Sequence, residues 1–120
     1  MDRREVELQL NFIKSSSMSL RLDASRVIHA ADALQLGERL FQKRLADLAK
    51  VDGWTDAALM IAEAAVPGPL YLTVKTGHKT NERCSAQIQG DEPVHVATLA
   101  QAILGAVLQH RLKLHDQDAS

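Results

Sequence analysis

The sequence predicts an α+β fold. Three observations point there. Apolar and polar residues alternate near the start and again at residues 70–89. A helical repeat occupies the middle. Residues 94–110 are apolar on nearly every side. The architecture expected is one or more N-terminal strands, a long helix that can break, a short buried helix, an antiparallel β-hairpin and an apolar C-terminal helix. Residues 1–120 are expected to form a single compact domain, with 115–120 as a frayed tail.

Glu5 to Ile13 places Val6, Leu8, Leu10 and Phe12 on one face of a strand, with Glu7, Gln9 and Asn11 on the other. Val6, Leu10 and Ile13 also fit a 3.6-residue period, so a helix competes. Four filled alternating positions favour the strand. Ser15, Ser16 and Ser17 form a polar break, after which Met18, Leu20 and Leu22 alternate as a second arm. Asp23 or Ser25 can cap the helix that follows by accepting from an orphan backbone N–H.

Ala24 to Val51 carries the long helical signal. Val27, Leu34, Phe41 and Leu48 recur every seven residues, with Ala31 and Leu45 four after two of them. Glu38 interrupts the seam and Gly37 stands beside it. An unbroken helix here would run ~40 Å, whereas a chain of this size has a radius of gyration of about 13–14 Å. The helix therefore breaks near Gly37, projects from the body, or packs against a partner chain. Asp52-Gly53 ends it. Ala57 to Val66 is apolar except at Glu63, which marks a buried helix.

Pro67-Gly68-Pro69 is a stop. Leu70, Leu72 and Val74 then alternate with Tyr71, Thr73 and Lys75, and after turn residues Cys84, Ala86 and Ile88 alternate with Ser85, Gln87 and Gln89. Gly90-Asp91 ends this hairpin, and Glu92-Pro93 suits the first turn of a helix. The helix is expected over Val94 to His110, with Thr98, Gln101, Gly105 and Gln109 as its one polar strip.

Composition narrows function. Fourteen Lys and Arg against fifteen Asp and Glu give a net charge of −1, so no global basic field exists to hold nucleic acid by counterion release. With Cys84 as the one cysteine, no intrachain disulfide can form. No leader pattern and no apolar run long enough to cross a bilayer is present, so a cytoplasmic location is the expectation. Aromatics are confined to Phe12, Phe41, Trp54 and Tyr71, too few for a base-stacking platform. The five histidines have no zinc-ligand spacing. His29 and Asp32 lie one helical turn apart and suit a solvated face. Cys84, on the apolar side of its strand, suits a buried thiol rather than a nucleophile. No catalytic residue, cofactor site or metal site is expected.

Two candidate binding regions remain. Around the hairpin tip, Lys75, His78, Lys79 and Arg83 gather near Gly77 against one acid, Glu82. Upstream, a short strand (M-S-L-R-L), Asp23, a dozen helical residues, Leu36-Gly37 and a second helix resemble, over residues 18–48, the ribbon–helix–helix module of small bacterial repressors. That resemblance implies two chains pairing their strands, with Ser19 and Arg21 reading the major groove and Arg26 nearby. The sequence departs from the family at Glu38-Arg39, where a polar helix cap is usual. The reading favoured is a small non-enzymatic adaptor, inhibitor or accessory protein of a bacterium or mobile element. It would act as a homodimer and bind another protein, with Val27, Leu34, Phe41, Leu48, Leu104 and Leu108 supplying the interface. The alternative is a dimeric DNA-binding regulator using residues 18–48 or the basic tip 75–83.

Overall fold

A computed structural model describes residues 2–15, 24–68, 70–76, 84–96 and 98–118. The elements are α1 (Arg3–Ser15), α2 (Ala24–Ala33), α3 (Arg39–Lys50), α4 (Trp54–Ala65), β1 (Leu72–Lys75), β2 (Cys84–Ile88), β3 (Val94–Val96) and α5 (Leu99–Asp118). The three strands form an antiparallel sheet in the order β1-β2-β3. The class is therefore α+β, with α5 as the hub. Helices α1 and α4 pack along it, and β2 and β3 lie across it.

The first segment is a helix, not a strand. Val6, Leu10 and Ile13 are buried, while Leu8 and Phe12, placed on the core face by the alternating pattern, are 60% and 37% exposed. The helical period won because these three positions, one turn apart, suffice to cover α5. Asp2 also starts the helix: its Oδ1 accepts from the N–H groups of Arg4 at 3.0 Å and Glu5 at 3.4 Å. The second arm expected at Met18–Leu22 lies outside the described residues.

Helix α1 runs antiparallel to α5. Arg3 Nε donates to Asp116 Oδ1 at 2.7 Å near one end, and Lys14 Nζ donates to Gln109 Oε1 at 3.1 Å near the other. The hydrogen bond from Arg3 holds the Asp116 carboxyl below the usual carboxylate range.

Residues 24–51 form two helices, and the break spans residues 34–38, which include Gly37. Gln35 takes a positive φ of 62°. Its N–H donates to Asp32 O at 3.0 Å, and the Leu36 N–H donates to Ala31 O at 2.8 Å. This pair of bonds is the Schellman ending of a helix. Helix α3 ends the same way. Asp52 has φ 55°, its N–H donates to Ala49 O at 3.3 Å, and the Gly53 N–H donates to Leu48 O at 2.8 Å. Breaking the segment keeps each half within a body whose radius of gyration is 13.5 Å.

The sequence placed the last helix too early and ended it too soon. Val94, His95 and Val96 alternate buried, exposed, buried as β3, and α5 begins at Leu99. Thr98 sets that start: its Oγ1 accepts from the Gln101 N–H at 3.2 Å and donates to Gln101 Oε1 at 3.0 Å. Helix α5 continues through Asp118, past His115 where fraying was expected.

Residues 100–108 are buried without exception. The strip expected to be polar is covered as well. Gln101 is buried, and a Cβ on Gly105 would lie 3.0 Å from Val94 Cγ1 and 3.4 Å from Ile13 Cγ2. The missing side chain lets α1 and β3 close over α5. Among the described residues no helix is long and apolar enough to cross a membrane.

Candidate functional site

The sheet ends on two strands, β1 and β3; β1 is the longer and the more exposed of the two edges. Its register pairs Leu72 with Ile88, Thr73 with Gln87, Val74 with Ala86 and Lys75 with Ser85, then Cys84 with Val96 and Ala86 with Val94. Opposed residues share a face. Leu72, Val74, Cys84, Ala86, Ile88, Val94 and Val96 therefore point towards α5, and Thr73, Lys75, Ser85, Gln87 and His95 point away.

Hydrogen bonding decides which backbone groups of β1 are used. In an antiparallel pair, alternate residues exchange both bonds. The Gln89 N–H donates to Tyr71 O at 3.0 Å, which sets the phase. Thr73 and Lys75 then bond inward to β2, while Leu72 and Val74 turn their N–H and C=O outward. Among the described residues nothing takes them up, since β1 is the end strand. The side chains around this edge are open too. Tyr71 is 62% exposed, and Val74 is 42% exposed although it lies on the core-facing side. A shallow cleft of ≈ 400 Å³ beside the edge is lined by Tyr71, Thr73, Gln87, Gln89 and Gly90.

A buried ionic clamp fixes the far end of this surface. Gly90 has φ 90°, and the Asp91 N–H donates to Ile88 O at 3.0 Å, closing a tight β2–β3 turn. The Asp91 side chain is only 3% exposed. His110 Nδ1 lies 2.7 Å from its Oδ2, and Lys113 Nζ lies 3.0 Å from its Oδ1. Lys113 also donates to Gly90 O at 2.9 Å, Gln109 to Glu92 O at 2.7 Å, and Gln87 to Asp91 O at 2.7 Å. A hollow of ≈ 270 Å³ lies over Gly90, Asp91, Glu92, Gln109 and Lys113. Both carboxylate oxygens of Asp91 are engaged, so the cluster ties the turn to α5. Among the described residues no three His, Cys, Asp or Glu side chains gather as a metal site.

The residues singled out from the sequence fall in different places. Lys75 is exposed on β1, while His78, Lys79 and Arg83 lie outside the described residues, as do Ser19 and Arg21. Arg26 is engaged with α1: its guanidinium sits 3.3 Å from the Phe12 ring centroid, and Nη1 is 3.5 Å from Gln9 Oε1. The apolar seam is not at the surface. Val27, Leu34, Leu104 and Leu108 are buried within the chain itself, and Phe41 and Leu48 are half-buried against the same core. Val27 and Leu34 are taken up between α2 and its neighbours α1, α3 and α4, and Leu104 and Leu108 between α5 and α1, α4 and the sheet, rather than by a second subunit; Phe41 and Leu48 stay half-buried.

Sequence reasoning missed the open edge and the Asp91 clamp. The edge had a readable signal, a hairpin whose first arm has no predicted neighbour beyond it. The clamp joins residues 19 and 22 apart in sequence, and nothing local announces it.

No family model, curated protein or solved structure matches this chain at a significant level.

Proposed function

We propose that this is a non-enzymatic protein-interaction module that adds a strand at the edge of its sheet. The observation that carries the reading is the outward pair of N–H and C=O groups on Leu72 and Val74, flanked by exposed Tyr71 and Val74. An unpaired strand edge is a template for another extended chain, with main-chain hydrogen bonds giving affinity and neighbouring side chains giving selectivity. The clamp at Asp91 and the packing of β2 on α5 hold the template rigid, which lowers the ordering cost of binding.

The test is a proline at Val74. Its N–H points outward, so Val74→Pro removes one outward donor while sparing the bonds to β2. Proteins retained by the wild-type chain, a second copy included, are expected to be lost with the variant. Identical retention by both would remove β1 from the reading.

A second reading is a DNA-binding regulator, favoured by one observation. Arg39, Lys43 and Arg44 are exposed on α3 and make no ion pair among the described residues, whereas Lys50 lies 3.8 Å from Asp47. If α3 contacts phosphates, Lys43→Ala with Arg44→Ala is expected to lower the salt dependence of DNA binding by roughly two units of slope. An unchanged slope rejects that surface.

A further inference from the structure

We infer that the strand taken up at β1 belongs to a second copy of this chain, in one antiparallel register: Leu72 of each copy opposite Val74 of the other, about a two-fold axis at Thr73. This rests on the reading of β1 as a docking edge and names its occupant.

The register follows from the backbone phase. Leu72 and Val74 are the strand residues with outward N–H and C=O groups, so only pairings between even-numbered positions make hydrogen bonds. Three two-fold arrangements satisfy that condition. Centring on Leu72 moves the overlap towards Gly68 and Pro69, off the strand. Centring on Val74 brings the two copies of Lys75 to diagonal neighbours, where like charges repel. Centring on Thr73 keeps the pairing on the strand and holds the two lysines apart.

Side-chain chemistry agrees with that register. On the core-facing side, Leu72 meets Val74 twice, covering the valine that the single chain leaves 42% exposed. On the outer side, Thr73 meets Thr73. Lys75 lies over the exposed ring of Tyr71, a cation–π pairing repeated by symmetry. A two-fold interface requires each patch to complement itself, and this edge does so at every position from Tyr71 to Lys75. The product is a continuous antiparallel sheet shared by two copies. Two short strands make a small interface, so self-association is expected at roughly 10–100 µM rather than in the nanomolar range.

The experiment combines sedimentation with directed cross-linking. In a Cys84→Ser background, which removes the one native thiol, Thr73→Cys is expected to form a symmetric disulfide under mild oxidation. The pair across the axis is a non-hydrogen-bonded one, with Cα atoms about 4.5 Å apart, within bridging range. Tyr71→Cys places its two thiols more than about 13 Å apart along the strands and is expected not to bridge. The wild-type chain is expected to sediment as a dimer at about ten times that dissociation constant, and Val74→Pro as a monomer.

Equal cross-linking of both cysteine variants, a dimer that survives Val74→Pro, or a wild-type monomer throughout would overturn the inference. A wild-type monomer that still loses a retained partner through Val74→Pro would overturn only the second copy, leaving the docking edge intact. Should Val74→Pro fail to fold by circular dichroism, the contrast between Thr73→Cys and Tyr71→Cys decides alone.

Discussion

At the scale of single residues, helix endings and the Asp91 clamp carry the most consequence. Two helices end with a non-glycine residue at positive φ, Gln35 and Asp52, although Gly37 and Gly53 stand close by. Glycine was the legible stop signal and it marked both breaks, but neither Gly37 nor Gly53 takes the left-handed position. The chain instead satisfies its last carbonyls with the Schellman bonds and bears the strain at Gln35. Left-handed backbone costs an L-residue about 1–2 kcal/mol, part of which glycine's larger unfolded-state entropy offsets. Gln35→Gly is therefore expected to stabilise the fold by about 0.5–1 kcal/mol, read from the urea midpoint at unchanged slope; a loss of stability would remove the strain argument. The clamp works in the other sense. Asp91→Ala leaves His110 and Lys113 without their shared carboxylate, and hydrogen bonds to charged groups contribute about 1.5–3 kcal/mol. With Lys113 45% exposed, a loss of about 2 kcal/mol is expected by denaturation, and a change under about 0.5 kcal/mol would show the clamp to be incidental.

At the scale of elements, some boundaries were legible and others were hidden by a competing period. The hairpin is legible because Leu72, Val74, Ala86 and Ile88 alternate on its two arms, which pair antiparallel as β1 and β2. The first segment is ambiguous in sequence because Val6, Leu8, Leu10 and Phe12 fill the alternating template while Val6, Leu10 and Ile13 fill the helical one that the structure adopts. A capping signature was available to break that tie, Asp2 followed three residues later by Glu5. The same signature, Thr98 then Gln101, marks the true start of α5 and frees Val94–Val96 to be a strand. The phase of β1 yields a test that needs no partner. Thr73 donates inward to β2 and Val74 points outward, so adjacent prolines should differ sharply. Thr73→Pro removes a ladder hydrogen bond and is expected to cost about 2–3 kcal/mol, whereas Val74→Pro should stay within about 1 kcal/mol of the parent. Equal losses on thermal or chemical unfolding would mean that the phase is wrong and that the outward edge is not Leu72 and Val74.

At the scale of the whole molecule, the open question from sequence was where the apolar surface of the last helix goes. Too much of it for a small domain suggested a second subunit over Leu104 and Leu108. The structure closes the account within one chain: α1, α4, β2 and β3 pack around residues 100–108 of α5, and Gly105 lets α1 and β3 approach. The capping signatures point to α1 as a helix and to Val94–Val96 as a strand, but which elements pack against α5 is a long-range outcome that no local pattern shows. The two arrangements predict different responses to the same substitution. A charge in a subunit interface would yield folded monomers and a concentration-dependent loss. A charge at Leu104, 0% exposed inside the chain, must be buried unpaired at a cost of several kcal/mol, against a total stability of about 5–15 kcal/mol. Leu104→Asp is therefore expected to be unfolded or nearly so at every protein concentration, and Leu104→Ala to lose about 2–5 kcal/mol. Leu40→Asp, at a position 67% exposed on α3, should change stability by less than about 0.5 kcal/mol. A folded, monomeric Leu104→Asp chain would show that α5 is not the hub, and with it would fall the rigid support that holds β1 as an open edge.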